Sequence, residues 1–185
     1  MIDMVNHVKK ILISIHNNNI IFSYKTNNSS ISNDLINTNI ISNNELIFSD
    51  IYIKENSKIL ASFIKELSIQ YNSTKVIITK MDLAPLILNL LKKATAITEI
   101  EIKEDESLTY EVCELLIDLN HIKNITCYTM QPFMIELLDK NGITCSSRCE
   151  ILYLSNFMEK NNLLRYSNIY YKTNIRITFP LSLED

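Results

Sequence analysis

Three carboxylates form the densest group of chemically active side chains beside a predicted strand: Glu99, Glu101 and Glu104. A pair of carboxylates can act as general acid and general base, or bind a metal ion, when a convergent partner completes the site. No such partner is identifiable in the sequence. We therefore interpret the three residues as part of a solvated sheet face that carries cross-strand ion pairs.

Cysteine spacing gives a second candidate for chemistry. Cys145 and Cys149 are spaced C-x-x-x-C, and His121 and Cys127 are the nearby residues that could add metal ligands. Zinc sites usually show two ligand pairs, so we interpret these cysteines as buried or incidental thiols. The three histidines lie far apart in the chain, and no G-x-S-x-G nucleophile motif is present. We predict neither a metal site nor a catalytic residue.

The chain contains a single glycine, Gly142. Phosphate-binding loops need several glycines, because the backbone N–H groups must approach the ligand closely. Dinucleotide-binding and P-loop motifs are therefore excluded, and we predict no cofactor. Gly142 instead follows the predicted helix Pro132–Lys140, where it suits a left-handed C-cap.

Composition is that of an ordinary globular chain. The 185 residues are 46% hydrophobic and 21% charged, with a net charge of −3. This charge gives no general attraction to nucleic acid or to anionic membranes. The sequence shows neither a spanning apolar segment nor a signal peptide. We expect a single cytoplasmic domain with reduced thiols, and neither nucleic acid nor membrane as partner.

A short sequence pattern, which we call the repeat phrase, occurs four times between Phe48 and Met130. The positions of the candidate residues named above depend on it. Its copies begin at Phe48, Ser73, Ile97 and Ile122, which are 25, 24 and 25 residues apart. Each copy predicts a strand, and each gap shows apolar residues at helical spacing. The predicted strands are Leu46–Ile53, Lys75–Thr79, Thr98–Lys103 and Asn124–Tyr128; the predicted helices are Ser57–Tyr71, Leu83–Lys93, Leu108–Leu119 and Pro132–Lys140.

The phrase resembles the leucine-rich repeat, L-x-x-L-x-L-x-x-N-x-L, with Ile and Val in most Leu positions. Asn occupies the ninth position only at Asn56 and Asn156. The resemblance implies an α/β fold: a parallel β/α repeat array with an open sheet. We predict an N-terminal β-hairpin cap in residues 1–44, regular repeats in 45–142 and irregular repeats in 143–185. Ser182 and Asp185 have capping-box spacing, which favours a continuing chain or an open end that docks on a partner.

Aligning the repeats predicts which side chains lie side by side. The third positions read Asp50, Lys75, Glu99 and the eighth positions read Glu55, Lys80, Glu104, so both rows alternate in sign. The outward positions carry charges that a closed barrel interior would have to desolvate, which favours an open sheet. The predicted binding residues of this face are Asp50, Tyr52, Lys54, Lys75, Ile77, Glu99, Glu101, Lys103, Thr126 and Tyr128.

The repeat and its mixed-charge face favour a non-catalytic protein-interaction or regulatory module. Its partner would be another protein or a second copy, bound through the sheet face or the open C-terminal end. The alternative is an enzyme or small-molecule sensor, with a pocket at the C-terminal ends of the strands where Lys54, Lys80, Lys103 and Tyr128 would gather. A structural subunit of a larger assembly is a third possibility.

Overall fold

The computed structural model describes residues 8–25 and 45–148, together with the strands Ile151–Tyr153 and Arg176–Thr178. A seven-stranded open sheet with helices forms a mixed α/β fold, and the strands lie in the order β3-β1-β2-β4-β5-β6-β7. The strands are β1 (Lys10–His16), β2 (Asn19–Tyr24), β3 (Glu45–Ser49), β4 (Lys75–Ile78), β5 (Glu99–Ile102), β6 (Asn124–Cys127) and β7 (Thr144–Ser147).

Five α-helices accompany these strands, with short 3-10 turns at Met81–Leu83 and Leu91–Lys93 on either side of the third. They are α1 (Asp50–Glu55), α2 (Ser57–Gln70), α3 (Ala84–Leu90), α4 (Tyr110–Asp118) and α5 (Pro132–Lys140). None of the helices in the described ranges is long and apolar enough to span a bilayer. The strands β8 (Ile151–Tyr153) and β9 (Arg176–Thr178) pair with each other in parallel.

The first two strands pair antiparallel through a two-residue loop. Asn17 and Asn18 both have positive φ, 49° and 61°, as a hairpin turn that matches the twist of its strands requires. β1 also pairs antiparallel with β3, and β2 pairs in parallel with β4. These strands are therefore integral to the sheet, and a separate N-terminal cap on a repeat array is not confirmed.

The four strands from β4 to β7 are parallel neighbours in chain order. Each is joined to the next through a helix, and right-handed crossovers taken in one direction place all their helices on one face of a sheet. Every second strand residue is accordingly buried beneath that layer, as in Val76 and Ile78, Ile100 and Ile102, and Ile125 and Cys127. A single cluster joins these residues to buried side chains of all five helices.

Local signals in the sequence explain where the helices begin and end. Thr109 caps α4, because its hydroxyl accepts a hydrogen bond from the Val112 N–H. Pro132 occupies the first turn of α5, where its missing N–H costs little. Gly142 has φ of 75°, and the N–H of Ile143 bonds the Leu138 carbonyl beside it. The predicted role of Gly142 as a left-handed C-cap is confirmed.

In the first predicted repeat unit the strand is wrong, whereas the predicted helix Ser57–Tyr71 corresponds to α2. β3 ends at Ser49, whose hydroxyl accepts a hydrogen bond from the Tyr52 N–H and so begins α1 inside the predicted strand Leu46–Ile53. β3 also lies at the sheet edge, beside β1 and three positions away from β4. Asp50 and Glu55 are consequently helical residues, and they do not continue the charge rows of Lys75 and Lys80.

The open sheet of the predicted fold class is confirmed, whereas a leucine-rich-repeat array is not. The later strand predictions agree with β4, β5 and β6 to within one residue at each end, and β7 follows them as a further parallel strand. The division of the chain into 1–44, 45–142 and 143–185 stays a prediction. Much of its first and last parts lies outside the described residues.

Candidate functional site

One face of the sheet carries no helix among the elements that the structure describes, and we call it the helix-free face. It consists of the strand residues that alternate with the buried ones. On the parallel strands two rows cross it: Lys75, Glu99, Asn124 and Thr144 lie side by side, as do Ile77, Glu101, Thr126 and Ser146. The predicted neighbours Lys75 and Glu99 do occupy adjacent register positions.

An ion pair crosses this face diagonally. The Lys75 ammonium lies 2.6 Å from the Glu101 carboxylate, although Glu99 is the residue directly opposite Lys75 in the ladder. The side chains are 30% and 17% exposed, so the pair is partly shielded from water. Sequence reasoning found the charge alternation but assigned Lys75 to the wrong glutamate, because a long lysine side chain reaches the diagonal neighbour.

The helix-free face has a charged half, which contains the Lys75–Glu101 pair and the polar residues of β5 and β6, and an aliphatic half on β1, β2 and β3 together with Ile77. Ile77 is only 6% exposed although strand alternation turns it away from the main core. Ile21 lies beside it on β2, and Leu12 and Ile47 are paired on β1 and β3. Ile77 was predicted as an accessible binding residue, but so little of it is exposed that it offers a partner almost no surface. The accessible polar part of the face is thus on β5 and β6.

The C-terminal ends of the parallel strands are linked by a carboxylate. Glu104, just after β5, accepts hydrogen bonds from the Lys80 ammonium at 2.5 Å and from the Met81 N–H at 2.7 Å. These bonds lower the pKa of Glu104, the lysine first and the backbone N–H second, and Glu104 raises the pKa of Lys80. The predicted pairing of Lys80 with Glu104 is therefore present.

Arg148 reaches the same loop from the end of β7. Its guanidinium donates to the carbonyls of Ile102 and Glu104, at 2.9 and 2.8 Å, and lies 3.8 Å from the Asp105 carboxylate. Sequence reasoning did not assign it a role. The available signal was its charge: a continuation of the repeat phrase in register would begin at Arg148, whereas the four copies begin with an apolar residue or with Ser73.

A second polar cluster joins residues at or near the ends of β1, β2 and β4. The Lys9 ammonium lies 3.1 Å from the Asp82 carboxylate and 3.3 Å from the Tyr24 hydroxyl, which itself donates to Asp82 at 3.0 Å. The bonds to Asp82 and Tyr24 raise the pKa of Lys9, and burial raises the pKa of Tyr24. The cluster ties the hairpin to the turn after β4, and the repeat phrase gave no indication of it.

The remaining predicted site residues do not all converge. Asp50, Tyr52 and Lys54 belong to α1, where the Tyr52 ring stacks on Phe48 with centroids 5.6 Å apart, so their predicted place on the sheet face is wrong. Lys103 is exposed after β5, and Tyr128 is partly buried after β6. Three lysines were predicted to gather in a pocket. Lys80 is bonded to Glu104, whereas Lys54 and Lys103 are exposed and have no ion pair among the described residues.

An open depression lies at the other edge of the sheet. It is a shallow depression of about 410 Å³ lined by Lys92, Thr95, Asp118, Leu119, Asn120 and His121, near the N-terminal ends of β5 and β6. Burial lowers the pKa of His121, with a smaller effect from Lys123. The pocket predicted at the C-terminal edge therefore stays a prediction.

The thiols of Cys113 on α4, Cys127 on β6 and Cys145 on β7 are buried. Burial raises the pKa of Cys127 and of Cys145 to about 12 and that of Cys113 to about 11. Such thiols are protonated at neutral pH and act as small apolar side chains. Within residues 8–25 and 45–148, no three His, Cys, Asp or Glu side chains are placed to hold a metal ion. Cys149 lies outside the described residues.

No protein-family model, curated protein or solved structure matches this chain.

Proposed function

We propose that this chain is a protein-interaction module, and that it binds a protein partner or a second copy through the charged half of the helix-free face. The observation that supports this is the one-sided layering: the described helices all join one core, and Glu99, Glu101, Thr126 and Ser146 lie on the other side of the same strands. A sheet face without helices presents its side chains to a partner at regular spacing.

The chemistry of this half favours a protein over other ligands. Glu99 and Glu101 would repel the phosphates of nucleic acid. The Lys75–Glu101 pair, the hydroxyl of Thr126 and the amide of Asn124 together supply both signs of charge and both donors and acceptors. Polar surfaces of this kind match the rim and wet contacts of non-obligate protein interfaces.

Site-specific photo-crosslinking in the native cells tests the proposal. A photoreactive residue at Glu99 or Thr126 should give a discrete adduct, and the same residue at the exposed α2 positions Glu66 or Gln70 should not. The mass of the adduct distinguishes a second copy from another protein. Light scattering on the purified chain measures self-association independently.

A charge change separates a specific contact from chance collisions. With the photoreactive residue at Thr126, Glu99→Lys should reduce the adduct, because it reverses a charge on the neighbouring strand. Glu66→Lys on α2 makes the same change in charge away from the face and should leave the adduct unchanged. Equal adducts from α2 and from the helix-free face would overturn the proposal.

A further inference from the structure

Two aromatic rings lie exposed on the helices that cover one face of the sheet, which we call the helical side. Tyr110 begins α4 and Phe133 lies in the first turn of α5, with exposed fractions of 50% and 49%. Their ring centroids are 6.2 Å apart and the planes are inclined by 36°, so the rings form one tilted apolar platform. Aromatic side chains grouped in this way are typical anchors of protein interfaces.

The segment that leads into and forms α4 is acidic. Residues 104–118 contain six carboxylates and not one lysine or arginine, although the whole protein has a net charge of only −3. On α4, Glu111 lies next to Tyr110, and Glu114 and Asp118 follow Tyr110 at spacings of four and eight. This spacing places the exposed carboxylates on the same face of the helix as the tyrosine ring.

The spacing of these carboxylates lowers the stability of α4 through like-charge repulsion. Glu111 and Glu114 are like charges three residues apart, and Glu114 and Asp118 are like charges four residues apart. Asp118 also lies in the last turn, where the helix dipole disfavours an anion. None of the salt bridges found in the described part of the chain involves these carboxylates. Glu111 lies in the first turn, where the helix dipole favours an anion. A cationic ligand would relieve the repulsion among the three carboxylates.

Glu111 is the chain neighbour of Tyr110, and Glu114 lies one helical turn after it. The Glu114 carboxylate is the main cause of the raised pKa of Tyr110. Asp118, at the far end of the helix, shares the depression described above with Lys92. The contribution of Asp118 is thus partly offset, and the ligand is expected to sit at the N-terminal end of α4.

We propose that Tyr110, Phe133, Glu111 and Glu114 form a docking surface for a basic peptide segment of a partner protein. A lysine or arginine side chain would lie over the rings, which attract cations through their π faces, while neighbouring basic residues pair with the two glutamates. The surface lies on the helical side, apart from the helix-free face, so this inference goes beyond the proposed function and does not depend on it.

Titration of the full chain with an arginine- and lysine-rich nonapeptide tests the inference, with backbone NMR shifts as the readout. We expect saturable shifts centred on residues 110–114 and 133 at physiological salt. Tyr110→Ala with Phe133→Ala should weaken binding by about tenfold, because each ring contributes a few-fold through cation–π attraction. The matched control, Ile59→Ala with Ile69→Ala, removes exposed apolar side chains from α2 and should change nothing.

Further variants distinguish this site from general charge attraction. Glu111→Gln with Glu114→Gln should also weaken binding, while Glu66→Lys on α2, which changes the net charge by the same amount, should leave it unchanged. Circular dichroism verifies that each variant is folded. Wild-type affinity in the ring variants would overturn the proposal, and so would equal binding of spermine, which matches the charge but not the peptide. An acidic nonapeptide should produce no shifts.

Discussion

The Glu104 carboxylate lies 2.5 Å from the Lys80 ammonium and 2.7 Å from the Met81 N–H. It thereby joins the loop after β5 to the turn that leads into α3. The Glu104 side chain is 17% exposed, whereas Lys80 is 52% exposed. The more protected of its two bonds is therefore the one to the backbone, where the carboxylate satisfies an N–H at the start of a helical turn.

Glu104→Gln should lower the free energy of unfolding by about 1 kcal/mol at pH 7, because a charge-assisted bond becomes a neutral one and solvent screens the lysine. The lowered pKa of Glu104 means that its stabilisation is complete above the ordinary value of 4.5 and is lost as the pH falls through the folded-state pKa. Urea unfolding from pH 7 to pH 3 measures both effects. The variant and the wild type should converge at the acid end.

Asp105→Asn provides the matched control for this prediction. Asp105 is adjacent, but its side chain is 80% exposed and 3.8 Å from Arg148. Its replacement should change stability little at any pH. A loss equal to that of Glu104→Gln would mean that general charge, and not the bond to Met81, accounts for the effect.

The sequence could predict the Lys80–Glu104 pair because both residues follow consecutive parallel strands at the same repeat position. The strands β4, β5 and β6 were equally predictable, since each carries alternating buried residues and is followed by residues at helical spacing. The first unit was not, because Phe48, Ile51 and Ile53 fit both a strand and a strand followed by a helix. The helix begins because Ser49 caps the N–H of Tyr52, three residues later. The repeat phrase assigned both residues to a strand, so this cap was not recognised.

The strand order was unpredictable for a different reason. A repeat array places consecutive units side by side, but β1 and β2 insert between β3 and β4. That insertion depends on long-range pairing of Ile20 and Phe22 with Val76 and Ile78, which no local pattern encodes. The clusters around Asp82 and Arg148 follow from the same tertiary arrangement and were missed with it.

Charge reversal on β5 should reveal the diagonal pair. Glu101→Lys places a second ammonium beside Lys75 and should destabilise the protein by about 0.5–1 kcal/mol, more than Glu99→Lys. Adding Lys75→Glu should recover most of the loss for Glu101→Lys and little for Glu99→Lys. A double-mutant cycle by urea unfolding measures the coupling. Equal coupling to both glutamates would contradict the diagonal geometry.

Gly142→Ala should destabilise the fold by about 1 kcal/mol. Its φ of 75° disfavours any side chain, although a Cβ at this position would meet no atom within 4 Å. The cost is therefore purely one of backbone conformation. Thermal unfolding should show a lower midpoint for this variant. Asn72→Gly is the converse control, because Asn72 has φ of 48° and glycine adopts that conformation without strain.

The three buried thiols should resist chemical labelling while the protein is folded. With pKa values of about 11 for Cys113 and about 12 for Cys127 and Cys145, almost no thiolate exists at pH 8. A Cys149→Ser variant limits the measurement to these three. We expect no reaction with a thiol-specific disulfide reagent in buffer and three equivalents in denaturant. Rapid labelling of the folded variant would mean that the sheet opens locally around β6 and β7, contrary to the packing of these residues in the main core.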